Sequence, residues 1–577
     1  MKKISAHTLS MWISCTGIVM FYFGILFAYG SNNPQSDDFF DTLIFLEMYH
    51  QKTTITEKVA LFFWQYVEHI QVFSKLIWLV YYKLSGRLDF FFVLIAGAIQ
   101  LPVIAYLISH VFSSQQRKND YSTLISLLIM LCPAIWLHYM LAGYTTLAFT
   151  PIFFSLLLVY LLRKKKTNWA SFIVLFPAFT IAGGVFIVAI SAVYIWTIQG
   201  IRNAKKLLFT MLSVAILSFY FSIHITLEPF GLNTIDDYSR YALQKPSTMI
   251  AGLFGLIGSL SFMEDDPSWP AILVGILLVA LAIGLLLFLY KKNLQDFFTV
   301  GTLLLFFLLC LAAVTLTRVS TYDLSSINDP HYKLYSLPLW AITIVGIYKY
   351  SSSRSVRRLL IFLAAIIFAT ACLRYLKPIS EDSRAKREMM TEWAITGKQQ
   401  ALGYTAMLPY SHEILLNSIR RGYYSPFDSQ RGVLDQPKKI EKITSCIDWK
   451  NLPISHSKLV TEDDSVAFAI TPSIQDEQIE QIMLCGQKYH FVIESNTPKR
   501  RMVVDKTSLP ADEYRLLTLS TNHSFQLHPS TLRTTGEVPR PRCNMDDPGY
   551  RLLVVAPLVY NLLCPQASSE PFDRKNR

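Results

Sequence analysis

The chain has 577 residues, 52% hydrophobic and 14% aromatic, but only 16% charged, against roughly 25% charged in an average globular protein. With a mean hydropathy of +0.34, this excludes an ordinary soluble domain and points to a mainly α polytopic membrane protein. The net charge of +12 would favour nucleic acid in a soluble protein; here much of it flanks apolar stretches, as expected on the cytoplasmic side of membrane loops, so no nucleic-acid partner is expected.

Eleven stretches approach the roughly 20 residues needed to cross a bilayer. The first, about 8–30, follows Lys2–Lys3. Its apolar core is too long for a signal-peptide h-region of roughly 15 residues, so it reads as an uncleaved span with a cytoplasmic N-terminus. An outer segment, 31–89, follows. Span two (90–112) returns to Arg117–Lys118. Spans three (121–138) and four (145–162) form a hairpin ending at the RKKK run 163–166, and spans five (168–182) and six (184–200) form another ending near Arg202, Lys205 and Lys206. Span seven (207–225) exits to a second outer loop, 226–269. Span eight (270–290) ends at Lys291–Lys292, and span nine (297–316) exits to a third outer loop, 317–333. Span ten (334–348) returns to Lys349, Arg354, Arg357 and Arg358, and span eleven (359–374) exits last. Only Asp120 and Asp296 oppose the basic clusters locally; the acidic loops fall on the other face.

This parity makes residues 1–375 a transmembrane domain and 376–577 an extracytoplasmic one. Residues 381–404 have helical periodicity, and short β-favouring runs such as HFVIES, RMVV and RLLTLS follow, so the terminal domain reads as α+β. Cys15, Cys132, Cys310 and Cys372 fall within or at the edge of spans as small apolar fillers. Cys446, Cys485, Cys543 and Cys564 all lie in the terminal domain; an even set in a non-cytoplasmic compartment reads as disulfides. Of three possible pairings, 446–485 with 543–564 closes the shortest loops.

The first outer segment carries the most chemistry. Asp37 and Asp38 follow span one, and an amphipathic region after them contains Trp64, Glu68, His69 and Lys75, with the spacing of helices lying in the interface plane. Glu68 and Lys75, two helical turns apart, would share a face. Carboxylates, an imidazole and an ammonium at the outer surface suit acid–base work on a lipid-linked substrate; the plainer alternative is a solvated loop with a surface ion pair. The second loop holds Asp236–Asp237, the apolar MIAGLFGLIGSL at 249–260 and Glu264-Asp265-Asp266. The third holds Arg318, His331, Tyr332 and Lys333. Arg318 and His331 read either as snorkelling side chains or as ligands of a polyprenyl phosphate.

Together these features resemble the GT-C superfamily of polyprenyl-phosphate-dependent glycosyltransferases. More narrowly, the chain resembles bacterial polytopic proteins with a W-x-x-x-x-E-H-R signature in the first loop, a Gly-containing LLG segment in the second, and an Arg followed by an Arg-Tyr before a late span. Here these stand as Trp64…Glu68-His69-Ile70, GLFGLIGSL at 252–260 and Arg318…His331-Tyr332. Ile70 replaces the usual basic residue and His331 stands where Arg is common, with Lys75 and Lys333 nearby. The resemblance covers about 8–375. It implies inverting transfer of a sugar from an undecaprenyl-phosphate carrier to an envelope glycan, such as O-antigen in lipopolysaccharide, at the outer face of a bacterial inner membrane. It makes Asp38 the general base and gives Asp37 or Glu68 the acceptor or a divalent metal, Mg or Mn, whose use varies in the superfamily. His69, Lys75, Arg318, His331, Tyr332 and Lys333 are then the groups for substrate and lipid phosphate. The competing readings are a polymerase of lipid-linked units, which would carry Arg-rich outer loops, a transporter or flippase, which would carry internal repeats and charges at mid-membrane, and a sensor or assembly scaffold, which would use the terminal domain and leave Asp37 and Asp38 dispensable.

Overall fold

The computed structural model describes residues 6–35, 38–63, 65–66, 69–112, 120–139, 141–179, 186–197, 205, 208–210, 212–213, 216, 241–261, 269–321, 332–396, 402 and 411–425, and seven strands between 460 and 534. The chain forms two compact units: Met1–Ser380 with Arg421–Tyr424, and Glu381–Arg420 with Ser425–Arg577.

In the first unit, α1 (Ala6–Tyr29) leads through a π-helical turn, Asp38–Leu43, into α2 (Ile44–Gln51) and α3 (Ile55–Phe62). A minimal hairpin, β1 (Gln65–Tyr66) with β2 (His69–Ile70), precedes α4 (Val72–Ser85). Local sequence explains the starts. Thr54 and Glu57 form a reciprocal capping box on α3, and Asp89 accepts the Phe91 N–H (2.8 Å) to open α5 (Phe90–Ala98). Then come α6 (Gln100–Val111), α7 (Ser122–Met130), a 3₁₀ segment Pro133–Tyr139 and α8 (Ala142–Arg163). Later helices are Phe186–Thr197, Pro246–Gly258, Trp269–Lys292, Leu294–Thr321, Ser336–Tyr350 and Arg354–Thr396, the last of which continues past Ser380 into the second unit.

Six helical stretches among the described residues are long and apolar enough to cross a membrane: Leu9–Tyr29, Phe90–Val111, Thr145–Arg163, Trp269–Lys292, Leu294–Val319 and Arg354–Arg387. The molecule is therefore a helical membrane protein, but these helices do not add up to eleven spans. The predicted third span stops as an α-helix at Met130, because Pro133 opens a tighter 3₁₀ segment. The fifth breaks into Thr167–Ile173 and Leu175–Ala178. The tenth has 15 residues, about 22 Å of helix against a hydrocarbon core of about 30 Å. Most of the predicted seventh span lies outside the described residues.

Polar contacts fix how the helices run. Arg163 at the end of α8 pairs with Asp296 (2.7 Å) at the start of the Leu294–Thr321 helix. Asn293 caps that helix, accepting the Asp296 N–H at 3.1 Å, and the Tyr350 hydroxyl donates to the same carboxylate. Lys349–Asp120 (3.4 Å) and the Tyr121 N–H to the Tyr348 hydroxyl (3.0 Å) join them. Residues 120–121, 163, 293–296 and 348–350 thus share one end of the bundle, the basic end. The start of α8, the end of the Leu294–Thr321 helix and the start of Ser336–Tyr350 lie at the other.

In the second unit the described residues form two antiparallel sheets. β3 (Val460–Glu462), β4 (Ala467–Ile470) and β7 (Met502–Asp505) make one. β6 (His490–Glu494), β5 (Ile479–Cys485), β8 (Asp512–Ser520) and β9 (Phe525–Thr534) make the other, in that order. The helix Ser411–Arg420 belongs to the same unit. Cys15, Cys132, Cys310 and Cys372 are free thiols. Cys485 ends β5, whereas Cys446, Cys543 and Cys564 lie outside the described residues.

Candidate functional site

Asp38 opens the π-helical turn and is buried. Its carboxylate accepts the Gly143 N–H at 2.6 Å through Oδ1 and the Gln35 N–H at 3.1 Å through Oδ2. Gly143 lies in the first turn of α8, so the anion sits where the helix dipole and free N–H groups favour negative charge. The fit is tight: a Cβ at 143 would come within 2.7 Å of Asp38 Oδ1, so a larger residue there obliges the carboxylate to shift.

Asp41, three residues on, is also buried and accepts from the Gln71 amide at 2.7 Å. A π-helix has a wider turn than an α-helix, so residues three apart diverge. Asp38 addresses α8, and Asp41 addresses Gln71 and Lys75, which ends up fully buried. Its Nζ lies 3.4 Å from the carbonyls of both Leu61 and Phe62 and 5.9 Å from the Phe45 ring centre. Burial pushes the Lys75 ammonium down to about 7, with Asp41 pulling upward. Trp78, buried beside them, donates its indole N–H to Thr146 (3.2 Å), tying α4 to α8.

Beside this group Glu47 meets Arg421 at 2.8 Å and accepts from Gln51 at 2.9 Å, both through Oε1. Its buried Oε2 has no hydrogen-bond partner among the described residues. Burial raises the Glu47 carboxyl, opposed by Arg421 and Gln51. The segment Arg421–Tyr424 closes the loop: the Leu88 N–H donates to the Tyr423 carbonyl (2.7 Å), and the Tyr424 hydroxyl donates to the Asn32 carbonyl (2.7 Å).

A second group lies at the same end of the bundle. The Arg318 guanidinium sits over the Tyr332 ring, 5.5 Å from its centre, and buried Lys333 donates to the Tyr375 hydroxyl at 3.1 Å. The 3₁₀ segment Pro133–Tyr139 packs on both α8 and the Tyr332–Tyr335 turn, linking this group to the acidic one.

Of the residues singled out in the sequence, Asp38 and Lys75 thus belong to one buried group, and Arg318, Tyr332 and Lys333 to its neighbour. Asp37, Trp64, Glu68 and His331 lie outside the described residues. His69 pairs with Tyr66 in the β1–β2 hairpin, so the expected continuous helix through Glu68 and Lys75 does not exist; α4 begins only at Val72. Asp41, Gln71, Glu47 and Arg421 were not expected. For Asp41 the one available signal was a third acid in DDFFD. Among the described residues no three His, Cys, Asp or Glu side chains gather into a metal-binding group. No family model and no curated protein matches the chain.

Proposed function

We propose that the protein is a membrane glycosyltransferase that moves a sugar from an undecaprenyl-phosphate carrier to an envelope glycan. The observation that supports this reading is the buried acidic turn Asp38–Asp41, set against the start of α8 at the end of the bundle that also holds Arg318, Tyr332 and Lys333. In this reading the acceptor hydroxyl gives its proton to Asp38 while its oxygen attacks C1 of the sugar. The bond from C1 to the phosphate oxygen breaks with inversion, and the phosphate leaves on its carrier. Asp41 is turned toward Gln71 and Lys75, which leaves Asp38 as the carboxylate that takes the proton. Arg318 and Lys333 lower the barrier by facing the negative charge that grows on the leaving phosphate. Asp37 and Glu68 orient the acceptor.

The proposal includes the finer topology: an eleven-pass path in which several short helices cross only part of the bilayer, a cytoplasmic N-terminus, and a periplasmic α+β terminal domain. Reporter fusions after residues 166, 206, 292 and 375 test it; a cytoplasmic signal at 375 overturns it. For the chemistry, Asp38→Asn keeps an oxygen for the Gly143 N–H but removes the base. Envelope glycan from this variant is expected to match that of a deletion strain while the protein still inserts, and Asp37→Asn and Glu68→Gln reduce transfer. Unchanged glycan in all three variants refutes the assignment.

A further inference from the structure

The surface helices α3 and α4 carry apolar rows that are left exposed among the described residues. Ile55 (81% exposed) and Val59 (51%) lie one turn apart on α3; Leu76 (42%), Val80 (47%) and Leu84 (83%) run along α4. Residues three or four apart share a helix face, so Lys58 flanks the first row and Lys83 the second. Among the described residues neither lysine is set against a carboxylate. Lys58 Nζ lies over the Tyr49 ring (5.3 Å), and Lys83 Nζ lies over both Tyr49 and Tyr82 (5.7 Å each). Between them His50 stacks on Tyr423 at 4.8 Å and meets Tyr82 edge-on at 5.2 Å. The nearby acids are occupied, Glu47 by Arg421 and Glu57 by Lys52 and Thr54.

We infer that this patch seats the phosphate of an anionic bilayer lipid of the phosphatidylglycerol class, with Lys58 and Lys83 as its cations. Two independent features converge on that partner. The apolar rows place the helices at the depth where acyl chains meet headgroups, and the lysines, held against aromatic faces, carry positive charge to the rim of those rows. A soluble anion would use the cations and leave the rows exposed; a neutral lipid would use the rows and leave the cations unsatisfied. The inference goes beyond the proposed reaction and does not depend on it.

The test uses the full chain purified in detergent and native mass spectrometry of the lipids it retains. From an equal mixture of phosphatidylcholine and phosphatidylglycerol, the wild type is expected to hold the anionic lipid in preference by about thirtyfold, as two lysines near a charged headgroup provide. Lys58→Gln with Lys83→Gln brings the preference near unity, while Lys58→Arg with Lys83→Arg keeps it. Absence of preference in the wild type, or preference surviving in the glutamine pair, overturns the inference. So does equal competition by soluble glycerol phosphate, which would mark a free-phosphate site, or retention of undecaprenyl phosphate in place of phosphatidylglycerol, which would mark a carrier site.

Discussion

Gly143 sits where a side chain would push into Asp38, so the missing Cβ lets the carboxylate meet the start of α8 without being displaced. Gly143→Ala is expected to lower thermal stability by roughly 1–3 kcal/mol, the usual range for an overpacked interior, and to lower transfer together with Asp38→Asn. Lys75 gives a pH signature. The unfolded chain keeps this proton to about pH 10.4, whereas the folded protein releases it near 7. Across that window the unfolded state binds more protons, so stability rises with pH, by at most about 1.4 kcal/mol per pH unit; below the window the full cost of the buried ammonium persists. Melting of the detergent-solubilised protein from about pH 7 to 10 should show this rise, and Lys75→Met should remove it. Asp38 and Lys75 were visible in the sequence because charge is rare beside so much apolar chain. Asp41 was not, since its role depends on a π-helical turn that composition does not mark. Arg421 was not either, since it reaches Glu47 from more than 370 residues further along the chain.

At the level of elements, the basic end is latched by a buried pair. Arg163 and Asp296 meet at 2.7 Å, both almost inaccessible, and Asp296 also takes the Tyr350 hydroxyl and caps its own helix with Asn293. Removing one partner of such a pair strands a charge; Arg163→Ala should cost about 3–5 kcal/mol. Arg163→Met with Asp296→Leu should recover most of that loss, as chemical denaturation of the two variants would show. The pairing was partly legible, because Asp296 is one of two acids opposing the basic clusters. The hairpin at 65–70 was not: the aromatic and apolar residues of the longer segment around it recur near helical spacing, yet Gln65–Tyr66 and His69–Ile70 pair as strands. A close crossing is similarly hidden. Pro246–Gly258 packs on Trp269–Lys292 with Gly258 against Ala271 and Gly275 against Phe254, so near that added Cβ atoms would collide with backbone. Gly258→Val should therefore splay this helical hairpin, read as new protease cleavage within 241–292.

Across the whole molecule, the apolar segments and their basic ends were legible because hydropathy and charge act locally along the chain. The number of full crossings was less so, since Pro133 and the short Ser336–Tyr350 helix turn apolar sequence into partial spans. The least legible feature is the return of Arg421–Tyr424 to the first loop, a contact across 392 residues. Deleting 421–424 is expected to unseat Asn32, Glu47 and Leu88 together, and to open residues 31–60 to limited proteolysis of the detergent-solubilised protein while the apolar helices stay resistant.

That return also sets a clock on biogenesis. At about 5–20 residues per second, the ribosome needs roughly 20–80 s to travel the 392 positions from Asn32 to Tyr424. For that interval the earliest polar loop is unfinished, its Asn32 carbonyl lacking the Tyr424 hydroxyl and its Glu47 carboxylate lacking Arg421. A holdase or insertase that shields this loop would therefore have its longest engagement early in translation, and its release would coincide with the emergence of an Arg-Gly-Tyr-Tyr tetrapeptide.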